Sequence, residues 1–512
     1  MLLQGSLQKS RAEPFLHIPP PPAEEEPSQA AGRQRWPRGS DSLAATWAFT
    51  LSLHSLLLLP VSILRHGGLV FLLQYLVLAV LLAGPLLLLE LFLGQYSALP
   101  TCRLPRHLCP LLAGVGVGLT LLAVLRAVLD LLLAGWAGRS AVLLLLQSGP
   151  GSVDTELAAN TTVALVSPGA VQPLAVAGVA AVGLLVYCLA AAGPRSLGKA
   201  SLLLLPLSYG LLITLCIRTC LDPAGPAAVL TLLSPHWASL HQATAWLEAA
   251  AHAIWSLQLG TGVISTLGAY NKFQKQLLRD ATVVTAGHAV WVLLSTFLLL
   301  SLTGLADTAA MESVAAKQEQ EAAMAVLSQR SVVGDDGLLL ANLQLILAAF
   351  SELSQGWLWA ALYCILLLLI LLTNLAGYLE LITNSVIGHR VSCIRFKPLV
   401  ALLVMLVLVL LCLPLTTQSG LVVQQVLATF CADWPTLLFS ILTVVAATCC
   451  HSMLSLVKDL CYMSRHQLSH FLSSHLSVVL TTIAPVLLAV STALSINCEC
   501  SLLFNNFVAS NP

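Results

Sequence analysis

The chain has 512 residues, 58% of them hydrophobic and only 9% charged, and its 23 Lys and Arg balance its 23 Asp and Glu. So few charges cannot cover a soluble multidomain enzyme, in which about a quarter of residues are charged, and the balance and low polarity exclude a disordered chain or a nucleic-acid binder. A mean hydropathy of +0.89 points instead to one membrane domain that crosses the bilayer many times.

Residues 1–42 read as a disordered cytoplasmic tail. Pro19 to Pro22 are followed by Glu24, Glu25 and Glu26 and then by Arg33, Arg35 and Arg38, a polar, Pro-rich composition that cannot build a core. The tail has no apolar h-region, so it is not a secretory signal peptide. Eleven stretches then reach the roughly 20 apolar residues needed to cross the hydrocarbon. They lie near 43–64, 69–94, 110–136, 172–192, 199–219, 243–269, 281–305, 357–386, 397–415, 423–452 and 469–496. Runs such as 76–93 are continuously apolar rather than alternating, which excludes a β-barrel. The fold class is therefore an all-α polytopic membrane protein, with its membrane domain over 43–496 and a non-cytoplasmic tail at 497–512.

One set of alternate loops carries most of the Lys and Arg, from Arg103 and Arg106 through Lys272 and Lys275 to Lys458 and Arg465. The opposite loops hold only Arg65, Arg139, Arg218, Lys317 and Arg330, with most of the loop acids. By the positive-inside rule the N-terminus is cytoplasmic. Asn160-Thr161-Thr162 is then a glycosylation sequon on the outside. The 14 cysteines show no metal-ligand spacing. Cys498 and Cys500 could oxidise in the outer tail.

Two stretches carry a more specific signal. The first is His66-Gly67-Gly68 with Phe71, Tyr75, Pro85 to Glu90 and Leu93-Gly94-Gln95. The second runs from Gly225 to Ala281 and contains TAWLEAAAHAIWSLQLGTGV and AYNKFQKQLLRDA. In this order, with eleven spans, they resemble the sodium:neurotransmitter symporters, solute carrier family 6. Arg33-Gln-Arg-Trp36 looks like that family's inner-gate motif. The resemblance implies two inverted five-helix repeats, 43–219 and 243–452, with 469–496 as an extra span and no counterpart of the family's twelfth. It implies broken first and sixth helices that present free backbone groups to ions and substrate at the midplane.

Transferred residue by residue, the resemblance implies a damaged set of sites. Gly260 and Gly262 permit the break in span six and border the substrate, or else merely pack helices closely. In span one Ser55 stands for the ligating asparagine of the first sodium site, which Thr50, Ser256 and His288 would complete. Leu58 and Ala428 replace the outer-gate ion pair, and Gly388 replaces the inner-gate acid. His252 and Val292 replace chloride ligands beside Tyr75, making chloride dependence doubtful. Thr373 and Asn374, with carbonyls of Ala48 and Leu51, retain oxygen ligands for a second sodium, or act as interhelical glue. In span three Asp130 takes the place of a carboxylate-binding tyrosine and could attract an amine. Alternatively Arg126, four residues before it on one helix face, neutralises it. Glu90 and Glu380 match structural acids. His54, His252 and His288 cluster near the midplane and either hydrogen-bond structurally or take a proton or metal.

These residues predict a sodium-coupled-type secondary transporter of a small organic solute such as an amino acid or amine, working by alternating access in the plasma membrane. The competing expectation is a non-transporting homologue that binds a membrane-protein partner or its own copy. No nucleophile–base pair or resident cofactor is expected beyond sodium, so an enzyme is not.

Overall fold

The computed structural model describes residues 34–496 apart from 67, 148–169, 223, 233–236, 313–342, 344–345, 351–352, 390, 418–419, 450–452 and 465–468. Among the described residues the only strand-like feature is one isolated bridge between Val171 and Thr417. Among the described residues, nine helices are long and apolar enough to cross a membrane. They form span two (Leu69–Ser97), three (Pro110–Leu146), four (Pro173–Ala190), five (Pro194–Cys220), seven (Leu277–Gly304), eight (Gly356–Gly388), nine (Ile394–Leu415), ten (Cys431–Thr448) and eleven (His470–Ile496).

Span one is a bent pair, Gly39–Thr50 and His54–Leu64, meeting at 52°. Span six is likewise split, into Ala243–Ser256 and Val263–Gly268. Among the described residues the bent first pair brings the total to ten, and the two shorter helices of 243–268 fall where the sequence predicts span six. Span three runs past its predicted end at 136, because Leu143 to Leu146 keep the run apolar. Short helices at Leu104–Leu108, Ala224–Leu232 and Met453–Ser464 fill connections that hydropathy alone does not resolve.

Burial sorts the spans into two rings. The apolar windows of spans two and eight are 72% buried, whereas those of four and five are 28% and that of nine is 22%. The outer helices turn side chains such as Leu184, Leu203 and Leu410 outward. That surface suits acyl chains, which are as apolar as leucine. The inner ring, with both broken helices, holds buried polar groups such as Ser55, Ser256, His288 and Asn374.

Span one breaks without a glycine. Leu51 is extended, with φ −74° and ψ 104°. Ser52 then starts the outer half as a reciprocal cap: its Oγ accepts from the Ser55 N–H at 3.1 Å, and the Ser55 Oγ accepts from the Ser52 N–H at 3.2 Å. Two side chains thus take over free backbone donors that would be costly in the membrane.

Span six does use glycine. Gly260 and Gly262 have φ of +75° and +79°. A Cβ on Gly260 would lie 2.3 Å from the Thr436 carbonyl, and one on Gly262 would lie 2.6 Å from the Thr101 methyl. The Gly260 N–H, freed by the break, donates to Glu90 Oε1 at 2.7 Å. Glu90 is therefore the acid that closes the break.

Among the described residues four helices contain a π turn: His54–Leu58, Ala79–Ala83, Thr429–Asp433 and Val479–Ile483. Each accommodates one surplus residue and turns the following side chains by about 100° relative to a straight α-helix.

Candidate functional site

The two breaks and spans three, eight and ten enclose a cavity of about 80 Å³. Ser52, His54 and Leu58 line it from span one, and Arg126, Leu129 and Asp130 from span three. Trp255, Gln258 and Thr261 come from span six, Asn374 and Tyr378 from span eight, Asp433 and Thr436 from span ten, and Gln424 from the helix Gly420–Ala428 that leads into it. Asp130 is thus on the wall. Gly260 and Gly262 are not; they line a smaller space of about 20 Å³ behind it, with Glu90 and Thr101. Between them and the cavity, the unwound segment turns Gln258 and Thr261 inward. Gln258, at φ +56°, accepts a hydrogen bond from the Tyr378 hydroxyl at 2.9 Å.

Arg126 does not take Asp130 as its ion-pair partner. Its Nη2 donates to Asp433 Oδ1 at 2.6 Å, to the Ala432 carbonyl at 3.1 Å and to Thr436 Oγ1 at 3.2 Å. The i,i+4 spacing favours Asp130, but Asp433 is the last residue of the π turn that opens span ten, and its carboxylate reaches Arg126 across the cavity. This pair ties span three to span ten. It spans the cavity even though Leu58 and Ala428 carry no charge.

The residues assigned to the first sodium site do come together, but they bind one another. Ser55 Oγ accepts from the Ser52 N–H and from Trp291 Nε1–H at 3.1 Å, and it donates to the Ser52 carbonyl at 2.8 Å. The Ser55 carbonyl accepts from Ser295 at 2.9 Å. Tyr75 OH bonds Ser256 Oγ at 2.8 Å and His288 Nε2 at 3.2 Å. The Ser256 carbonyl accepts from Ser52 Oγ at 2.8 Å. Thr50 turns its hydroxyl back to the Trp47 carbonyl. N–H donors aimed at an oxygen occupy the lone pairs a cation needs.

The second set is different. Thr373 Oγ1 lies 2.7 Å from the Ile370 carbonyl and 3.3 Å from the Ala48 carbonyl at the end of the inner half of span one. Leu51 is buried beside them at the break. Asn374 is 1% exposed, and its Oδ1 has no hydrogen-bond partner among the described residues. Buried oxygens of this kind suit a hard cation.

Two further clusters flank the cavity. His54 Nε2 and His252 Nδ1 are 2.6 Å apart, and Trp255 packs against both rings. On the side of the N-terminal segment, Lys397 and Glu380 form a buried ion pair, joined by Tyr270, Asn384 and Gln34. Trp36 Nε1 donates to the Leu267 carbonyl at 3.0 Å, and the Trp36 N–H to that of Tyr270 at 3.1 Å. Arg33 and Asn160 lie outside the described residues. Sequence reading missed Lys397 because it begins span nine, where a lysine reads as a loop charge.

The model of the Sodium:neurotransmitter symporter family matches residues 33–145 and 158–510. The chain belongs to the sodium:neurotransmitter symporter family. Its relatives within the family are distant. It is 24% identical over 433 residues to the sodium-dependent serotonin transporter of Drosophila melanogaster, covering 77% of this chain and 66% of that protein. It is 24% identical over 458 residues to the sodium-dependent dopamine transporter of Bos taurus, covering 82% and 63%. The chain therefore spans no more than about two thirds of these relatives' lengths. Its fold matches the crystal structure of MhsT in complex with L-phenylalanine at a TM-score of 0.70 and 17% identity, covering 90% of this chain and 99% of that one. Membership of the family makes it a multi-pass membrane protein with the inverted-repeat architecture.

Proposed function

We propose that the chain is a secondary transporter that moves a small organic solute, an amine or amino acid, through the midplane cavity by alternating access. Spans one, two, six and seven would rock against the rest, and one sodium ion would travel with the solute. The observation that carries this reading is the cavity itself, walled by both broken helices and lined with charged and polar groups in an otherwise apolar core. Intramembrane charge is costly and concentrates on transport pathways. The names of the relatives and the phenylalanine bound to MhsT favour a solute of this size and class.

Sodium fits at Thr373, Asn374, Ala48 and Leu51, because the buried Asn374 Oδ1 lacks a partner there. It would be cargo that ties span one to span eight. The first sodium position does not fit an ion, since Trp291 and the Ser52 backbone fill the Ser55 lone pairs. Chloride has no evident place, because Tyr75 is already bonded to Ser256 and His288. That same self-bonding favours the competing reading, a homologue that binds a membrane partner without transporting. Family membership and the Lys and Arg bias support a plasma-membrane protein with a cytoplasmic N-terminus, a glycan at Asn160 and no enzymatic activity.

Uptake of radiolabelled amines and amino acids into proteoliposomes, with and without a sodium gradient, tests this reading. Sodium-driven accumulation is expected, and Thr373→Val with Asn374→Leu should abolish the sodium dependence. Absence of accumulation across the panel would overturn it in favour of the non-transporting reading.

A further inference from the structure

Among the described residues, three acidic or basic side chains other than histidine line the cavity: Arg126, Asp130 and Asp433. Arg126 and Asp433 compensate each other at 2.6 Å, and Thr436 and the Ala432 carbonyl take the remaining bonds of the same guanidinium nitrogen. Asp130 has no hydrogen bond or ion pair among the described residues, and it faces the same space. The cavity therefore carries one uncompensated acid. A lone acid in a membrane core is expensive unless something pairs with it. A solute carboxylate would meet two acids and a single guanidinium already held by one of them.

We propose that the solute is a small organic cation without a carboxylate, and that the Asp130 carboxylate on span three is its anchor. This rests on reading the cavity as the solute site, and it narrows that reading to one charge class. The volume of about 80 Å³ sets the size. A water needs roughly 10–15 Å³ of such space, so the cavity has room for several waters or for a protonated amine with a handful of heavy atoms. The Arg126–Asp433 pair fixes the wall one helical turn before Asp130, so selectivity comes from excluding an anionic group as well as attracting a cationic one. Trp255 borders the cavity and offers an aromatic surface to the cation.

The test compares ethanolamine with glycine, which differ in the carboxylate, using the full chain in lipid nanodiscs and proteoliposomes. Ethanolamine should raise the unfolding temperature and glycine should leave it unmoved. Asp130→Asn should weaken ethanolamine at least tenfold, and Asp130→Glu should restore part of the affinity; unfolding without ligand checks that both variants fold. Three results would overturn the inference: glycine binding as well as ethanolamine, ethanolamine binding unchanged in Asp130→Asn, or no binding of ethanolamine, trimethylamine or putrescine. Asp130-dependent binding of ethanolamine without sodium-driven uptake would uphold the inference and sink the transport reading. Sodium-driven uptake of glycine alone would do the reverse.

Discussion

Replacing Asp433 with asparagine keeps its shape and removes its charge, which isolates the ion pair across the cavity. Arg126 Nη2 sits 2.6 Å from the carboxylate, and the two side chains are 22% and 16% exposed. Stranding one member of a fully buried pair costs about 3–5 kcal/mol, and losing a hydrogen bond to a charged group costs about 1.5–3 kcal/mol. Partial exposure and the surviving bonds to Thr436 and Ala432 put Asp433→Asn near the lower figure, about 2 kcal/mol. Arg126→Met should cost a similar amount. The double variant should cost less than the sum by about 1–3 kcal/mol, because neither charge is then stranded. Unfolding in mixed micelles titrated with denaturing detergent, run on all four proteins, measures the cycle. Additivity within about 0.5 kcal/mol would refute a coupled pair.

Gly260→Ala would force a Cβ into a left-handed conformation, costing about 1–2 kcal/mol, and drive it against the Thr436 carbonyl. A loss above about 3 kcal/mol is expected in the same titration, and a neutral variant would contradict the close approach. Glu90→Gln should keep an acceptor for the Gly260 N–H but weaken it by about 1 kcal/mol; hydrogen exchange at Gly260 should quicken. Trp291→Phe removes the indole donor from Ser55 and should cost about 1 kcal/mol. If that donor is what excludes an ion, this variant alone should gain additional stabilisation by sodium over potassium, and identical salt responses would count against the idea.

Much of the architecture is legible in the sequence because a bilayer imposes a simple rule. A run such as 76–93 has only one way to satisfy its backbone in lipid, so helix number follows from hydropathy. The partner of Arg126 is not legible. A one-dimensional reading weighs the neighbour four residues away, Asp130, whereas Asp433 is 307 positions distant and reaches the cavity through a π turn that no composition rule announces. The break in span one was foreseeable only by resemblance. Its glycines are absent, and the Ser52–Ser55 cap that replaces them looks in sequence like ordinary helix serines. Gly260 and Gly262 point to the unwound segment, but they line the smaller space and not the larger cavity. Glycines mark where the chain unwinds, and the side chains beside them, Gln258 and Thr261, are what reach the cavity.

The contact between His54 Nε2 and His252 Nδ1 has a consequence of its own. At 2.6 Å one nitrogen must hold the hydrogen and the other must be bare. If neutral His54 donates through Nε2, neutral His252 carries its proton on its own Nε2. If His252 donates through Nδ1, His54 must carry its proton on Nδ1. The two rings therefore make a single joint choice of tautomer, one ring on each broken helix. The link between the two repeats has a direction, and that direction can reverse while every heavier atom stays where it is.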